Sequence, residues 1–522
     1  MTAQVEKVSP FRIGVIIDSL FQPRWVRKCL ENVVTTGLGE IVVVVKVAEQ
    51  RSRGGLLYEL YSRLDRRLFE SDALELVSIE DLVRGATEFE ELTAAKLDVM
   101  INFASTELNP KFSGAAKYGV WFYCFGERPG FDQVVNEASA MSSSLRALEG
   151  DREQIVYESF SPALSRFSVR LNNNTTYWKS AAFAARALRN LSAKHQVGMS
   201  VERASLNRNA AASDLMLKLP ARAASRAVEK FASFEQWVLA YQIGDGEFQY
   251  LIPPADRFWA DPFPVNVDGK HYIFFEDYVN ESGRAHLSVV EVDQNGIVSG
   301  PTEILKLDCH LSYPFVFEWQ GDYYMVPETG ERNVVELYRC VSFPFQWEPH
   351  KVLLEANCPL DATLAEVNGT WWMFVNIQEE GVAVNWDELH LYYAESPLGS
   401  WQPHARNPVV SDVRSARPAG RLFRANDVLY RPGQDSSVRY GYATTISKVT
   451  KLSPDEYSET EVLKILPNWD KDIIGVHTLN FLEGFTVIDC LTKRSRFRSR
   501  HLNSPKGLAQ SSLVERATAL SG

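Results

Sequence analysis

A hairpin pattern recurs along the second half of this chain, and it limits the folds open to it. The first copy runs from Trp259-Ala260-Asp261-Pro262-Phe263 through an Asp268-Gly269 turn to the return Tyr272-Ile273-Phe274-Phe275-Glu276-Asp277. Asp-Gly between two apolar runs signals a β-hairpin. The start of one hairpin strand lies beside the end of the next, so Asp261 is expected beside Glu276 and Asp277. Ser312-Tyr313-Pro314 turns at Gly321-Asp322 and returns to Pro327-Glu328, and Asp361-Ala362-Thr363 turns at Asn368-Gly369 and returns to Asn376. Arg417-Pro418-Ala419-Gly420 turns at Asn426-Asp427 and returns to Gln434-Asp435, and His477-Thr478-Leu479 turns near Gly484 and returns to Asp489. Five copies roughly 50 to 60 residues apart, each with several strands, predict a five-bladed β-propeller. Residues 237–242 and 248–252 alternate like strands ahead of the first copy. A propeller has to close, and these strands are candidates to complete the last blade.

The first half has a different period. Residues 11–18, 40–45, 97–103 and 119–123 are apolar runs of the kind parallel strands need, and residues 22–35 carry helical spacing with Trp25, Val26, Cys29, Leu30 and Val33 on one face. Strands alternating with helices predict an α/β doubly wound domain over residues 10–180. No Gly-x-Gly-x-x-Gly follows the first strand, which disfavours dinucleotide binding. Residues 181–236, rich in Ala, Leu and Arg, read as a helical connector. The propeller is expected over residues 237–492, and residues 493–522 as a basic, disordered tail. The chain is thus multi-domain, as 522 residues require.

Composition excludes several classes of function. A net charge of −11 argues against nucleic acid as a partner. Six scattered cysteines without a Cys-x-x-Cys, and nine histidines without a His-x-x-x-His, give no expected metal site, and no cofactor is expected. No signal-peptide pattern or long apolar run is present, so the expected location is cytoplasmic, with the basic stretch Lys493-Arg494-Ser495-Arg496 suited to the inner-membrane surface.

Hairpins of one hand bring their first residues to one end of the axis. These are Asp261, Tyr313, Asp361, Arg417 and His477, and the returns add Glu276, Asp277, Glu328, Asn376, Gln434, Asp435 and Asp489, with Trp259 and Arg414 alongside. The same polar end at the same repeat phase predicts an acid-rich, aromatic-rimmed pocket.

Three resemblances bear on this pattern. The first half, through Val99-Met100-Ile101-Asn102-Phe103, Lys117-Tyr118-Gly119-Val120-Trp121 and Gly126-Glu127-Arg128-Pro129-Gly130-Phe131, resembles the formyltransferase fold. Phe122 and Cys124 stand where that family carries Asn-x-His, so formyl transfer is not expected. The hairpins resemble the propellers of the arabinanase, invertase and levansucrase superfamily, which implies Asp261 as base or nucleophile and Asp361 as the residue orienting substrate. That superfamily's fourth-blade acid is replaced by Arg414-Ser415-Ala416-Arg417-Pro418, which leaves Glu328 as the candidate acid. The third and nearest resemblance covers residues of about 255 to 490 and is to the N-terminal domain of plant glucosamine inositolphosphorylceramide transferases and their bacterial relatives. It rests on Trp259-Ala260-Asp261-Pro262, His310-Leu311-Ser312-Tyr313-Pro314, Pro327-Glu328-Thr329, Asp361-Ala362-Thr363, Ser396-Pro397-Leu398-Gly399-Ser400-Trp401 and Arg417-Pro418-Ala419-Gly420.

The resulting expectation is a glycosyltransferase of surface glycan or glycolipid synthesis. Its partners would be a sugar or activated sugar donor and a glycolipid or membrane-surface acceptor. Asp261, Asp361 and Glu328 would be catalytic, and Arg414 or Arg417 would suit a donor phosphate. An intracellular glycoside hydrolase and a non-catalytic glycan-binding or scaffold protein are the alternatives.

Overall fold

The computed structural model describes residues 9–48, 56–84, 87–88, 96–104, 112, 114–125, 130, 134, 140–150, 152–193, 231–244, 246–293, 296–297, 299–378, 386–482, 484–496, 502–503, 508 and 512. The Gly126–Phe131 motif apart from Gly130, most of the expected connector and nearly all of the basic tail lie outside them. The chain divides into two compact units, residues 1–222 with 381–383 and residues 223–380 with 384–522.

The first unit is built on a seven-stranded sheet. Its strands run in the order 87–88, 39–46, 11–17, 99–102, 120–124, 140–149 and 152–162. The first five are parallel and the last two antiparallel. The long hairpin at that edge is a departure from the doubly wound sheet expected. The helix Arg24–Thr35 buries Trp25, Val26, Cys29, Leu30 and Val33, the face its spacing predicts. Phe183–Ser192 is helical, but Phe183, Ala184, Ala187 and Leu188 join the core around Ile13, Val15 and Val99. That segment is part of the first unit's core rather than a connector.

The second unit is a propeller of five sheets. Blades 1 to 3 begin with the inner strands Arg257–Val267, Ser312–Trp319 and Pro359–Val367, each returning through a tight turn. Blade 4 differs from expectation. Its inner strand is only Phe423–Ala425, and Arg417–Gly420 keeps a single bridge, Pro418 to Gly433. Pro418 has no N–H to donate, and Gly420 takes φ +127°, so the chain leaves the ladder there. Blade 5 joins the two ends of the unit. Leu479–Leu482 and Phe485–Ser495 supply its inner strands, and Ser233–Ile243 with Gln249–Leu251 its outer ones. The N-terminal strands therefore close the ring.

A Cβ on Gly420 would lie 2.2 Å from the Leu479 carbonyl oxygen, whereas one on Gly369 (φ +78°) would meet nothing within 4 Å. Gly420→Ala should cost about 2–4 kcal/mol, an overpacked contact added to a disfavoured φ. Gly369→Ala should cost about 1 kcal/mol, the φ penalty alone. Urea unfolding of the two variants measures the difference.

Candidate active site

Blades 1, 2 and 3 repeat one backbone device. In each, two inner-strand residues oppose one on the return strand: Asp261-Pro262, Tyr313-Pro314 and Asp361-Ala362. The first residue of each bulge is left-handed, with φ of 50°, 46° and 53°. A non-glycine residue held there costs about 1–3 kcal/mol and persists only where its surroundings enforce it. The residues just before the bulges, Ala260, Ser312 and Leu360, pair across the hairpin with Glu276, Glu328 and Asn376. Ala260, Ser312 and Leu360 line one pocket of about 260 Å³, together with Asp261, Glu276 and Glu328. Arg417 and Tyr440 of blade 4 and His477 and Trp237 of blade 5 complete the wall, with Phe258 and His310 three residues ahead of the blade 1 and blade 2 bulges.

Two ionic groups dominate this pocket. In the first, the buried Arg417 guanidinium holds Asp361 through Nε at 2.5 Å and Nη2 at 3.2 Å, and reaches Glu328 Oε2 at 3.2 Å. Gln434 Nε2 adds a bond to Asp361 at 3.1 Å. Burial, and then the Asp361 carboxylate, hold the Glu328 carboxyl well above the usual range against the pull of Arg417. Glu328 is therefore held toward its protonated form, the form that can give up a proton.

The second group is a chain of three side chains. Asp489 is fully buried, and its Oδ1 accepts the backbone N–H groups of His477 (3.0 Å) and Thr478 (2.9 Å). Its Oδ2 accepts the N–H of Asp261 at 3.0 Å and lies 2.6 Å from His477 Nδ1. His477 Nε2 is 3.6 Å from Asp261 Oδ1, which also accepts the Thr478 hydroxyl at 2.6 Å. Trp237 stacks on the imidazole with centroids 4.1 Å apart. Burial pushes Asp261 up to about 7; His477 pulls it down, and Asp361, Glu276 and Asp489 push it up further. Burial alone would lower His477, but Asp489 and Asp261 outweigh it and raise the imidazole to about 9. Asp261, His477 and Asp489 each bring a ligand atom within 4.8 Å of the others. Both Asp489 oxygens already accept protein N–H groups, so the set reads as an ion-paired chain rather than an open coordination shell. His310 Nε2 meets Glu276 at 3.3 Å, and the acids around it outweigh burial to raise it to about 9.

Five of the sequence-predicted residues thus line the pocket: Asp261, Glu276, Glu328, Arg417 and His477. Asp361 and Gln434 sit behind Arg417. The others lie elsewhere, three of them for a common reason. Neighbours on a strand face opposite ways. Trp259, next to Ala260, packs on Phe275 in the core. Asp277, next to Glu276, meets Arg257 at 3.4 Å and His286 at 3.6 Å. Asp435, next to Gln434, pairs with Lys464 at 2.9 Å. Tyr313 is fully buried, its hydroxyl 2.8 Å from both the Thr363 hydroxyl and the Gly420 N–H. Asn376 donates to the Glu388 carbonyl, and Arg414 is forked onto Asp412. Sequence reasoning missed Trp237, Phe258, His310 and Tyr440 as wall residues. Only Phe258 and His310 carried a signal, their shared repeat phase.

This geometry defines the second unit as a five-bladed propeller whose blades converge on one acid–base pocket. Residues 251–475 match the family described as glucosamine inositolphosphorylceramide transferase 1, N-terminal. The chain is 36% identical over 210 residues to glucosamine inositolphosphorylceramide transferase 1 of Oryza sativa subsp. japonica, covering 40% of this chain and 28% of that one. It is 37% identical over 209 residues to the Arabidopsis thaliana protein of that name, covering 40% and 27%. The chain thus spans little more than a quarter of the length of these relatives. Among solved structures, a family 117 glycoside hydrolase of Zobellia galactanivorans is similar at 14% identity over 49% of this chain and 90% of that one, TM-score 0.32. An exo-1,5-α-L-arabinanase from a bovine ruminal metagenomic library is similar at 14% identity over 48% and 98%, TM-score 0.32. The formyltransferase resemblance of the first unit finds no support in these comparisons.

Two outcomes follow from the ionic groups. Arg417→Met would strand the Asp361 carboxylate in the interior, and urea unfolding should show a loss of about 3–5 kcal/mol. The second concerns pH. An unfolded histidine titrates near 6.5, and the folded state holds the His477 and His310 protons up to about 9. Their stabilisation is therefore complete below pH 6.5 and disappears as pH rises through about 9. His477→Gln should make this decline shallower, leaving the His310 share, when unfolding is followed between those limits.

Proposed function

We propose that the propeller is a glycosyl-transfer site acting in glycan or glycolipid synthesis, with Asp261 as general base and Glu328 as general acid. The observation that carries the reading is the meeting in one pocket wall of two carboxyls from different blades, Asp261 and Glu328, both raised by burial and each facing a different cation, His477 and Arg417. Two titratable groups whose surroundings push them to different protonation states are suited to acid and base roles. An acceptor hydroxyl would pass its proton to Asp261 as its oxygen attacks the anomeric carbon. The bond from that carbon to the donor's leaving oxygen would break with its electron pair, and Glu328 would protonate that oxygen. Asp361, gripped by Arg417 and Gln434, would steady Glu328 and the pocket wall rather than take part in proton transfer.

The names of the plant relatives favour transfer to a glycolipid over hydrolysis, and suggest an amino sugar with an inositolphosphoryl lipid acceptor. The reading keeps the expectation of a cytoplasmic protein working at the inner-membrane surface. Among the described residues no helix is long and apolar enough to cross a membrane.

The full chain should be incubated with a panel of sugar nucleotides and inositolphosphoryl lipid or polyprenyl phosphate in detergent, with products followed by mass spectrometry. A glycosylated lipid, reduced about 10²–10⁴-fold by Asp261→Asn and by Glu328→Gln, is the expected result. Free sugar released from oligosaccharides, with no lipid product, would move the site to a hydrolase. Binding without turnover of any substrate would make it a recognition module.

A further inference from the structure

The chain from Asp489 through His477 to Asp261 crosses from the last blade to the first, and its contacts do more than hold the fold. Asp489 donates nothing. It accepts three backbone N–H groups and sits 2.6 Å from Nδ1 of the imidazole. One of those N–H groups belongs to Asp261, the residue held at φ 50°. The far nitrogen of the same imidazole lies 3.6 Å from Asp261 Oδ1, and the Thr478 hydroxyl is bonded to that oxygen. Among the described residues no side chain or backbone group is bonded to Asp261 Oδ2.

We infer that Asp489 and His477 are positioning residues for Asp261: Asp489 fixes both the imidazole and the Asp261 backbone, and the imidazole holds the carboxyl by Oδ1, leaving Oδ2 for substrate. The inference deepens the proposed function and rests on its reading of Asp261 as the base. The imidazole ring cannot turn away, because Trp237 stacks on one side and Tyr440 meets it edge-on at 5.6 Å. The charged and titratable groups facing Asp261 are His477 and Asp489 of blade 5, Glu276 of its own blade, Asp361 of blade 3, and the Tyr313 and Tyr440 phenols. Those facing His477 are Asp489, Asp261 and Arg417. His477 is the cation that lowers Asp261 against burial and three neighbouring acids. Asp489, 2.6 Å from the other ring nitrogen, favours that cation's charged form. Taking away Asp489 should lower the His477 midpoint, and taking away His477 should weaken Asp261 as a carboxylate at neutral pH.

The test uses the full chain and two readouts. Carbon-13 labelled histidine is titrated by NMR, with His477 assigned as the signal missing from His477→Gln. In the unsubstituted protein His477 should titrate at about 9. In Asp489→Asn its midpoint should fall by about one pH unit or more. The acid limb of turnover should move up by about one pH unit in His477→Gln, as Asp261 loses its cation. An unmoved His477 midpoint in Asp489→Asn overturns the inference. So does an unmoved acid limb alongside a lower melting temperature, the result of a purely structural role. If Asp489→Asn does not fold, Asp261→Asn decides the inner link, since removing that carboxyl should also lower the His477 midpoint. Absence of turnover in the unsubstituted protein would sink the proposed function while the NMR titration still decides the inference.

Discussion

Ring closure is the constraint on which the rest of the second unit depends. Ser233–Ile243 runs antiparallel to Phe485–Ser495 without a break in register, from Ser233 opposite Ser495 to Ile243 opposite Phe485. A closed ring removes the open sheet edges that first and last blades would otherwise expose. It also brings Trp237 onto the His477 imidazole, a position no local sequence signal could give it. Leu239 pairs with Asp489 in that ladder, and Asp489 in turn takes the N–H of Asp261 from blade 1. The pocket therefore exists only in the closed ring. Opening the seam would separate His477 from Asp261 even if each hairpin kept its shape.

The price of gathering acids in one place is visible in their partners. Asp361 and Glu328 share Arg417, Asp261 and Asp489 share His477, and Glu276 has His310. Unpaired carboxylates at such depth would be very unfavourable, and pairing or protonation is the way out. The pocket uses both. Three cations match most of the charge, and burial holds Glu328 toward its protonated form. The acid-rich pocket of the sequence thus becomes nearly balanced in the fold. The replacement of a fourth-blade acid by Arg417, read from sequence as a phosphate contact, has another consequence. The guanidinium is committed to two carboxyls, Glu328 of blade 2 and Asp361 of blade 3, and its pull opposes the burial that raises Glu328.

The propeller was legible because its turns are. Asp268-Gly269 and Asn368-Gly369 fix two hairpins, and the strands between them alternate as a sheet requires. Repeat phase also placed Asp261, Glu276, Glu328, Arg417 and His477 at one end. Phase alone could not separate neighbours. Glu276 and Asp277 are one residue apart and face opposite ways, as are Gln434 and Asp435, so half of each acidic pair was assigned to the wrong face. The bulges were not legible, because a left-handed residue in a strand leaves no mark when it is Asp or Tyr rather than Gly. Nor were the partners across blades. His310 with Glu276, and Asp489 and His477 with Asp261, are contacts between repeats, and a period reports only what happens within one.

The bulge shows how the repeat divides its labour. The same left-handed turn occurs in blades 1, 2 and 3, but its residue is Asp261, Tyr313 and Asp361 in turn. Geometry is therefore supplied by the repeat and chemistry by the residue placed on it. In blade 2 the position has become a brace, Tyr313 reaching Thr363 of blade 3 and Gly420 of blade 4. Blade 2 contributes its chemistry from the return strand instead, through Glu328. Blades 4 and 5 lack the bulge and bring the cations Arg417 and His477. The carboxyls Asp261, Glu276, Glu328 and Asp361 come from blades 1 to 3. Asp489 of blade 5 and His310 of blade 2 cross that division, so acids and cations interleave around the pocket. A ligand that enters meets a fixed polarity, set before it arrives, and this preorganisation spares the reorganisation that water would need around a developing charge.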